Sequence, residues 1–315
     1  MHAPKVSLKV RFVPAVALAG LILNASAHGF VTAYDFVTID PPEGLFTALT
    51  GVNGSGTAVG NTQNVDESTN NFRYDLRTGE STPLPAELGG LPFTPIGIND
   101  SGTIVGPIGD PEISQAAILR KNGRYTTFAI PGFASIVPRG VGRSGLVSGY
   151  AIVGPDDWSG FLHDPNTGRT ELFLTGSQQV IPQGIDVGGR LVGSVALPAD
   201  GAYPGSPAGQ YGFVREPDTT ITLFRVNGLA TRARGISDTG IVTGFAGSPS
   251  VGYTVVAPTG GGYRDLTVPE ESLFAVPGTV ATFPLGIDKR GRIVGSWFGA
   301  DNIQRGFVAT PASSQ

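Results

Sequence analysis

Residues 97–106 read GINDSGTIVG. Asn99 at the first position of a turn and Gly102 at the fourth fit a type I turn, with the glycine free to take a positive φ in a hairpin bulge. The β-branched run Thr103, Ile104, Val105 then starts a strand. The stretch therefore reads as a β-hairpin, with Gly102 present for backbone geometry. Gly97 and Gly106 let strands approach closely near a crowded axis.

The stretch recurs. GVNGSGTAVG begins at Gly51, GVGRSGLVSG at Gly140, GIDVGGRLVG at Gly184, GISDTGIVTG at Gly235 and GIDKRGRIVG at Gly286. The six starts are 46, 43, 44, 51 and 51 residues apart. A period in the forties, with short strands and many turns, is the spacing of β-propeller blades. The expected fold is all-β, a six-bladed β-propeller, with seven blades as the alternative.

Each unit reads as four strands. Pro95, Pro138, Pro182 and Pro284 stand two residues before the opening glycine. Proline donates nothing to a ladder, so it belongs on an edge, and the innermost strand of a blade has one facing the channel. The third strand carries a large anchor: Phe72, Ile118, Phe161, Phe213, Tyr253 or Phe307. A fourth strand follows, as in Tyr125–Phe128 and 170–173. The last copy stops after its third strand, at Phe307–Thr310, while Tyr34–Ile39 precedes the first copy and supplies a strand without a unit. Pairing these two ends closes the ring and removes two bare edges. One detail sits awkwardly: residues 28–31, HGFV, duplicate the third-strand pattern of residues 305–308.

Composition agrees. The 315 residues include 47 Gly and 25 Pro, but 40% hydrophobic residues give a core to bury. Charged residues make up 15% of the chain, without a basic patch for nucleic acid. No cysteine is present, which excludes disulfides, thiolate metal sites and thiol nucleophiles. At the N-terminus, Lys5, Lys9 and Arg11 precede the apolar run FVPAVALAGLIL and the small residues Ala25-Ser26-Ala27. That order describes a secretory signal peptide over residues 1–27, cut before His28. The apolar run is short for a membrane span. Residues 28–315 then form one domain, secreted or periplasmic, with no integral membrane segment after cleavage, expected as a monomer.

The pattern Gly-Ile-Asn-x-x-Gly-x-Ile-Val-Gly, followed by Gly-Phe and by Tyr-Thr-Thr-Phe, resembles the HAF-type extracellular repeat family. HGFVTAYDFVTIDPPEG (28–44) is similar to the second half of the same unit. The resemblance covers essentially all of residues 28–315, strongest at Gly51, Gly97 and Gly286. The copy at Gly140 departs, with Gly142 where Asn or Asp is usual. The resemblance implies a protein secreted from bacteria, and it carries no catalytic residues to transfer.

Two groups of residues are candidates for a site. The loops between strands two and three vary most, as binding loops on a fixed scaffold do. They hold Asp156, Asp157 and Trp158, Tyr203, and Trp297. Aromatic rings beside carboxylates suit sugars or cations; the plainer reading is solvated loops with tryptophans capping the blades. The second group stands just before the opening glycine, where consecutive units place Arg139, Gln183 and Arg234. Two converging guanidiniums can hold a carboxylate or sulfate, or can simply pair with loop carboxylates.

Catalysis has little support. His163 is the one histidine inside the repeats; at the end of a third strand it reads as structural or solvent-facing, and no second internal histidine supports a metal site or a Ser/His/Asp arrangement. No catalytic residue, metal or cofactor is expected. The reading is a non-catalytic secreted propeller that binds a glycan, peptide or surface partner. The alternative is a polysaccharide hydrolase or lyase using loop carboxylates such as Asp156 or Asp157, with Arg139 and Arg234 as clamps.

Overall fold

In the computed structural model, which describes residues 34–39, 44–64, 68–110, 112–154, 157–177, 179–198, 208–267 and 273–312, GINDSGTIVG is a hairpin. The Gly102 amide donates to the Asn99 carbonyl at 2.9 Å, and the Asn99 amide donates to the Thr103 carbonyl at 3.0 Å. Gly102 has φ of +77°, which a side chain would strain. The equivalent Gly56, Gly145, Gly189, Gly240 and Gly291 share that conformation.

The described residues form strands, turns and no helix. In chain order these are β1 (Tyr34–Ile39), β2 (Gly44–Val52), β3 (Thr57–Asn64), β4 (Thr69–Asp75), β5 (Ser81–Leu84), and the small hairpin β6 (Glu87–Leu88) with β7 (Leu91–Pro92). Then come β8 (Gly97–Ile98), β9 (Ile104–Ile108), β10 (Gln115–Leu119) and β11 (Tyr125–Phe128); β12 (Ser135–Val141), β13 (Val147–Gly154), β14 (Asp157–Asp164) and β15 (Arg169–Ser177). The second half holds β16 (Gln179–Ile185), β17 (Leu191–Leu197), β18 (Gly209–Arg215) and β19 (Ile221–Val226); β20 (Thr231–Ile236), β21 (Ile241–Ala246), β22 (Val251–Val256), β23 (Gly262–Leu266) and β24 (Leu273–Phe274); β25 (Ala281–Ile287), β26 (Ile293–Phe298) and β27 (Gln304–Pro311). They assemble as antiparallel meanders in a β-propeller arrangement: β8 to β11, β12 to β15, β16 to β19, and β20 to β22 with β24. A larger sheet joins β25–β26–β27 to β2–β3–β4–β5 through the single parallel bridge Phe46–Gln304.

The two ends of the chain meet as expected. β1 lies antiparallel on β27, with Tyr34 opposite Pro311 and Ile39 opposite Gly306. Phe36 packs on Phe307, ring centroids 6.0 Å apart, and Ile39 is fully buried. β1 thus stands where the last repeat lacks a fourth strand.

The opening glycines are where neighbouring repeats meet. A Cβ built on Gly51 would lie 3.3 Å from the Cα of Gly97, and one on Gly97 would lie 3.2 Å from the Cα of Gly140. A Cβ on Gly140 would fall 1.8 Å from the Gln183 carbonyl oxygen. Gly184 meets Gly235, Gly235 meets Gly286, and Gly286 returns to Gly51 at 3.4 Å. The circuit is closed. Each third-strand anchor is buried, and where it is aromatic the residue it crosses on the second strand is a glycine, as with Phe161 against Gly149 and Phe213 against Gly193; the aliphatic anchor Ile118 crosses Val105 instead. Large side chain and glycine are one packing unit. The expected prolines are on edges: Pro138, Pro182 and Pro284 lie in β12, β16 and β25, each first in its row of strands.

The four-strand unit breaks once. Residues 262–266, GYRDL, look like the fourth strand of the fifth repeat, yet β23 runs parallel to β19 and extends the preceding sheet. Gly260, Gly261 and Gly262 all have positive φ and turn the chain there. β24 then completes the fifth unit by pairing with β22. The signal segment 1–27, the duplicated residues 28–31, Asp156 and Tyr203 lie outside the described residues.

Candidate functional site

In five of the six repeats a bulge falls at the residue before the opening glycine. β12 pairs Pro138 with Gly149 and Gly140 with Ser148, so Arg139 is skipped. The same register shift falls at Thr50, Arg234 and Leu285, and at Gln183–Gly184. A bulge leaves one residue outside the ladder and re-aims its side chain. These five residues and Ile96 (Thr50, Ile96, Arg139, Gln183, Arg234 and Leu285 in chain order) line one cup on the axis, of about 80 Å³. Its floor is the residue after each opening glycine: Val52, Ile98, Val141, Ile185, Ile236 and Ile287. The same six side chains roof a second cup among the hairpin turns at the other end of the axis. We call the first the upper cup.

The upper cup has two halves. Arg139, Gln183 and Arg234 form a polar arc; Leu285, Thr50 and Ile96 complete the circle. Thr50 Oγ1 is already committed, donating to the Pro95 carbonyl at 2.9 Å. Neither guanidinium is in an ion pair among the described residues. The Nε–H groups of both Arg139 and Arg234 are buried and lack an acceptor among the described residues. Burial lowers the Arg234 pKa from its ordinary value, and the charges of Arg139 and Arg232 add to this. Beside Arg234 is Tyr253, whose buried hydroxyl has no partner among the described residues and whose pKa burial raises, with the charge of Arg234 opposing. The corresponding anchors in four other repeats are Phe, which would bring no such hydroxyl.

Each arginine rests on a ring from the neighbouring strand. The Arg139 guanidinium lies 5.5 Å over Tyr150, whose hydroxyl accepts a long 3.4 Å hydrogen bond from it. Tyr150 in turn stacks on Trp158 at 4.6 Å. Arg234 lies 5.1 Å over Phe245, which meets Phe283 edge-on at 5.0 Å. The sequence holds the signal for these supports. The residue eleven places after the bulge is aromatic where the bulge is Arg, Tyr150 and Phe245, and is Asn61, Pro107, Ser194 or Ser296 elsewhere. Tyr150 and Phe245 were not among the expected site residues.

Of the expected residues, Arg139, Gln183 and Arg234 share the cup, and Trp158 joins them through Tyr150. Asp157 is exposed at the start of β14. Trp297 is set apart. Arg305 lies 5.0 Å over its ring, and Asp301 holds Arg305 at 2.6 Å. That hydrogen bond brings the Asp301 carboxyl down to about 2. The Trp297 indole N–H is buried without an acceptor among the described residues. His163 is a packing residue. It stacks on Phe128 at 3.8 Å, its Nδ1 is 2.8 Å from Thr170 Oγ1, and burial lowers its pKa against the pull of Asp164. No group of three or more potential metal ligands forms among the described residues. No helix there is long and apolar enough to cross a membrane.

No family model and no curated protein sequence matches the chain. Solved structures do share its fold. A putative gluconolactonase is 10% identical across 89% of this chain and 94% of its own, with a TM-score of 0.51. TolB from Acinetobacter baumannii is 9% identical across 84% of this chain, with a TM-score of 0.48; the chain spans 54% of TolB's length. The β-propeller domain of the Trilobed protease from Pyrococcus furiosus is 13% identical across 86% of this chain and 95% of its own, with a TM-score of 0.47. Identities this low carry the fold and nothing of the chemistry.

Proposed function

We propose that this chain is a secreted six-bladed propeller of the HAF-type repeat family that binds an extracellular ligand without transforming it. Residues 1–27 are its signal peptide and residues 28–315 its single domain. The blade count is supported by six opening glycines in one closed circuit of close approaches, the step from Gly140 being made to Gln183, the residue before Gly184. The function rests on one observation: Arg139 and Arg234 converge on the upper cup with no carboxylate among the described residues to neutralise them. An unneutralised pair of like charges costs stability, and such costs gather at binding sites. The ligand, a glycan, peptide or surface component, would lie over the cup and the loops around Trp158. A cup of this size takes the end of a ligand; sites that enclose a small molecule run to ~300–1,000 Å³.

The test is an array of bacterial and plant glycans and short peptides, probed with the mature protein and with Trp158→Ala. Capture by the wild type, weakened about tenfold in the variant, is the expected result. An array that captures nothing overturns the reading. Release of new reducing ends from a polysaccharide would replace it with hydrolysis.

A further inference from the structure

The two halves of the upper cup specify what it takes. We infer that the cup is a receptor for the carboxylate of an organic ligand, its charged end held between Arg139 and Arg234 and its aliphatic end against Leu285 and Ile96. This rests on the upper cup being the ligand site. A guanidinium lying over a ring uses its flat face there and keeps its in-plane N–H groups for an oxyanion. Both arginines are placed in that way, over Tyr150 and Phe245. Each also has a buried Nε–H without an acceptor, the edge that a carboxylate grips in a forked pair. Gln183, at 6% exposure, stands between them in the arc with an amide to donate.

The rest of the circle argues for an organic ion over an inorganic one. Leu285 and Ile96 offer no donor, and the Thr50 hydroxyl proton is spent on Pro95. A sulfate or phosphate would turn oxygens toward that side and find no partners, at the cost of desolvating them. A carboxylate has its two oxygens on one end and carbon on the other. The floor of six Val and Ile side chains limits the depth, so only the terminal few atoms of a ligand enter. The substrate class is thus a chain end: the carboxylate of an acidic sugar, of a peptide C-terminus or of a short fatty acid.

The experiment uses acetate, butyrate, hexanoate and sulfate as probes, at constant ionic strength, on the mature protein. Arginine Nε–H resonances and titration calorimetry are the readouts. Butyrate and hexanoate should shift the Nε–H signals of Arg139 and Arg234 and bind more tightly than acetate or sulfate. Arg139→Gln and Arg234→Gln should each weaken binding about tenfold, the scale of a lost charged hydrogen bond. Arg234→Lys keeps the charge and loses the fork, and should recover only part. Leu285→Ser should erase the advantage of the longer chain. Sulfate binding as tightly as butyrate overturns the organic class. Unmoved Nε–H signals in the wild type overturn the site itself, whether or not any variant folds. A protein that captures array ligands but no carboxylate loses this inference and keeps the function proposed above; one that binds neither loses both.

Discussion

The two ends of the axis are built from the same repeats and treat charge in opposite ways. At the lower end the Asn and Asp side chains of the turns are answered. Asn53 Oδ1 accepts the amides of Ser55 and Thr57, and its Nδ2 donates to the Asn99 carbonyl of the next repeat at 3.1 Å. Asn99 does the same, reaching Gly142 at 3.0 Å. Where the motif has Asp, an Arg four residues on closes an ion pair: Asp186 with Arg190 at 2.7 Å, and Asp288 with Arg292 at 2.6 Å. Asp100 and Asp238 accept amides of the preceding repeat, from Gly54 and Val187. At the upper end Arg139 and Arg234 have no such answer among the described residues. The lower end holds neighbouring units in register. The upper end leaves donors unspent, which is what a ligand requires.

Substitutions separate the two ends. The largest loss falls on the junction between them. Gly140→Ala would place a methyl 1.8 Å from the Gln183 carbonyl oxygen, so backbone must move; about 4 kcal/mol or more is expected to go, read as urea midpoint or as failure to fold. Asp288→Ala strips a fully buried carboxylate from Arg292 and from the amides of Arg290 and Arg292, and should cost about 3 kcal/mol. Arg234→Met carries the comparison itself. Removing an unanswered guanidinium should leave stability unchanged or raise it by about 1 kcal/mol, while abolishing ligand binding. A loss of 2 kcal/mol or more there would mean that the arginine serves the fold.

The smallest effect belongs to His163, away from both ends. Burial lowers its pKa below the ordinary 6.5, so the unfolded chain takes up the proton first as pH falls. Its contribution is complete above about pH 6.5 and declines as pH drops through the folded value. Thermal melts from pH 7.5 to 5 should show a small decline in stability from this group, and His163→Phe should flatten that part of the slope. A slope unchanged by His163→Phe would place the proton uptake elsewhere.

How far the fold could be read follows from where its forces are local. The Asn-x-x-Gly turn, the glycine spacing and the edge prolines are constraints on a few adjacent atoms, and they repeat, so the propeller and the pairing of β1 with β27 are legible in the chain. β23 is not. Nothing within GGYRDL says which neighbour it pairs with, because three successive glycines permit several exits and distant packing selects one. The site is legible in part. Arg139, Gln183 and Arg234 stand at one repeat position, and that alone brings them together. Whether a charge at such a position is paired depends on which loops lean toward it, and loop direction has no periodicity. The supporting rings Tyr150 and Phe245 were within reach, since each follows its arginine at the same interval. The Asn–Thr and Asp–Arg pairing within the turns was also readable, as Asn53 with Thr57 and Asp186 with Arg190 show.

Two ends of an axis exist only if the ring is shut, and the strand pair that shuts it can be trapped covalently. Asp35 and Thr310 are opposed across β1 and β27, and both are exposed. Opposed antiparallel residues have Cα atoms ~4.5–5.5 Å apart, within the reach of a disulfide. The chain has no other cysteine to compete. In the mature protein, Asp35→Cys with Thr310→Cys should oxidise to an intramolecular disulfide while folded, seen as thiol loss and faster gel migration, and should raise the melting temperature. Thiols that stay free in the folded protein, or that cross-link only between molecules, would contradict the closed ring and with it the cup on its axis.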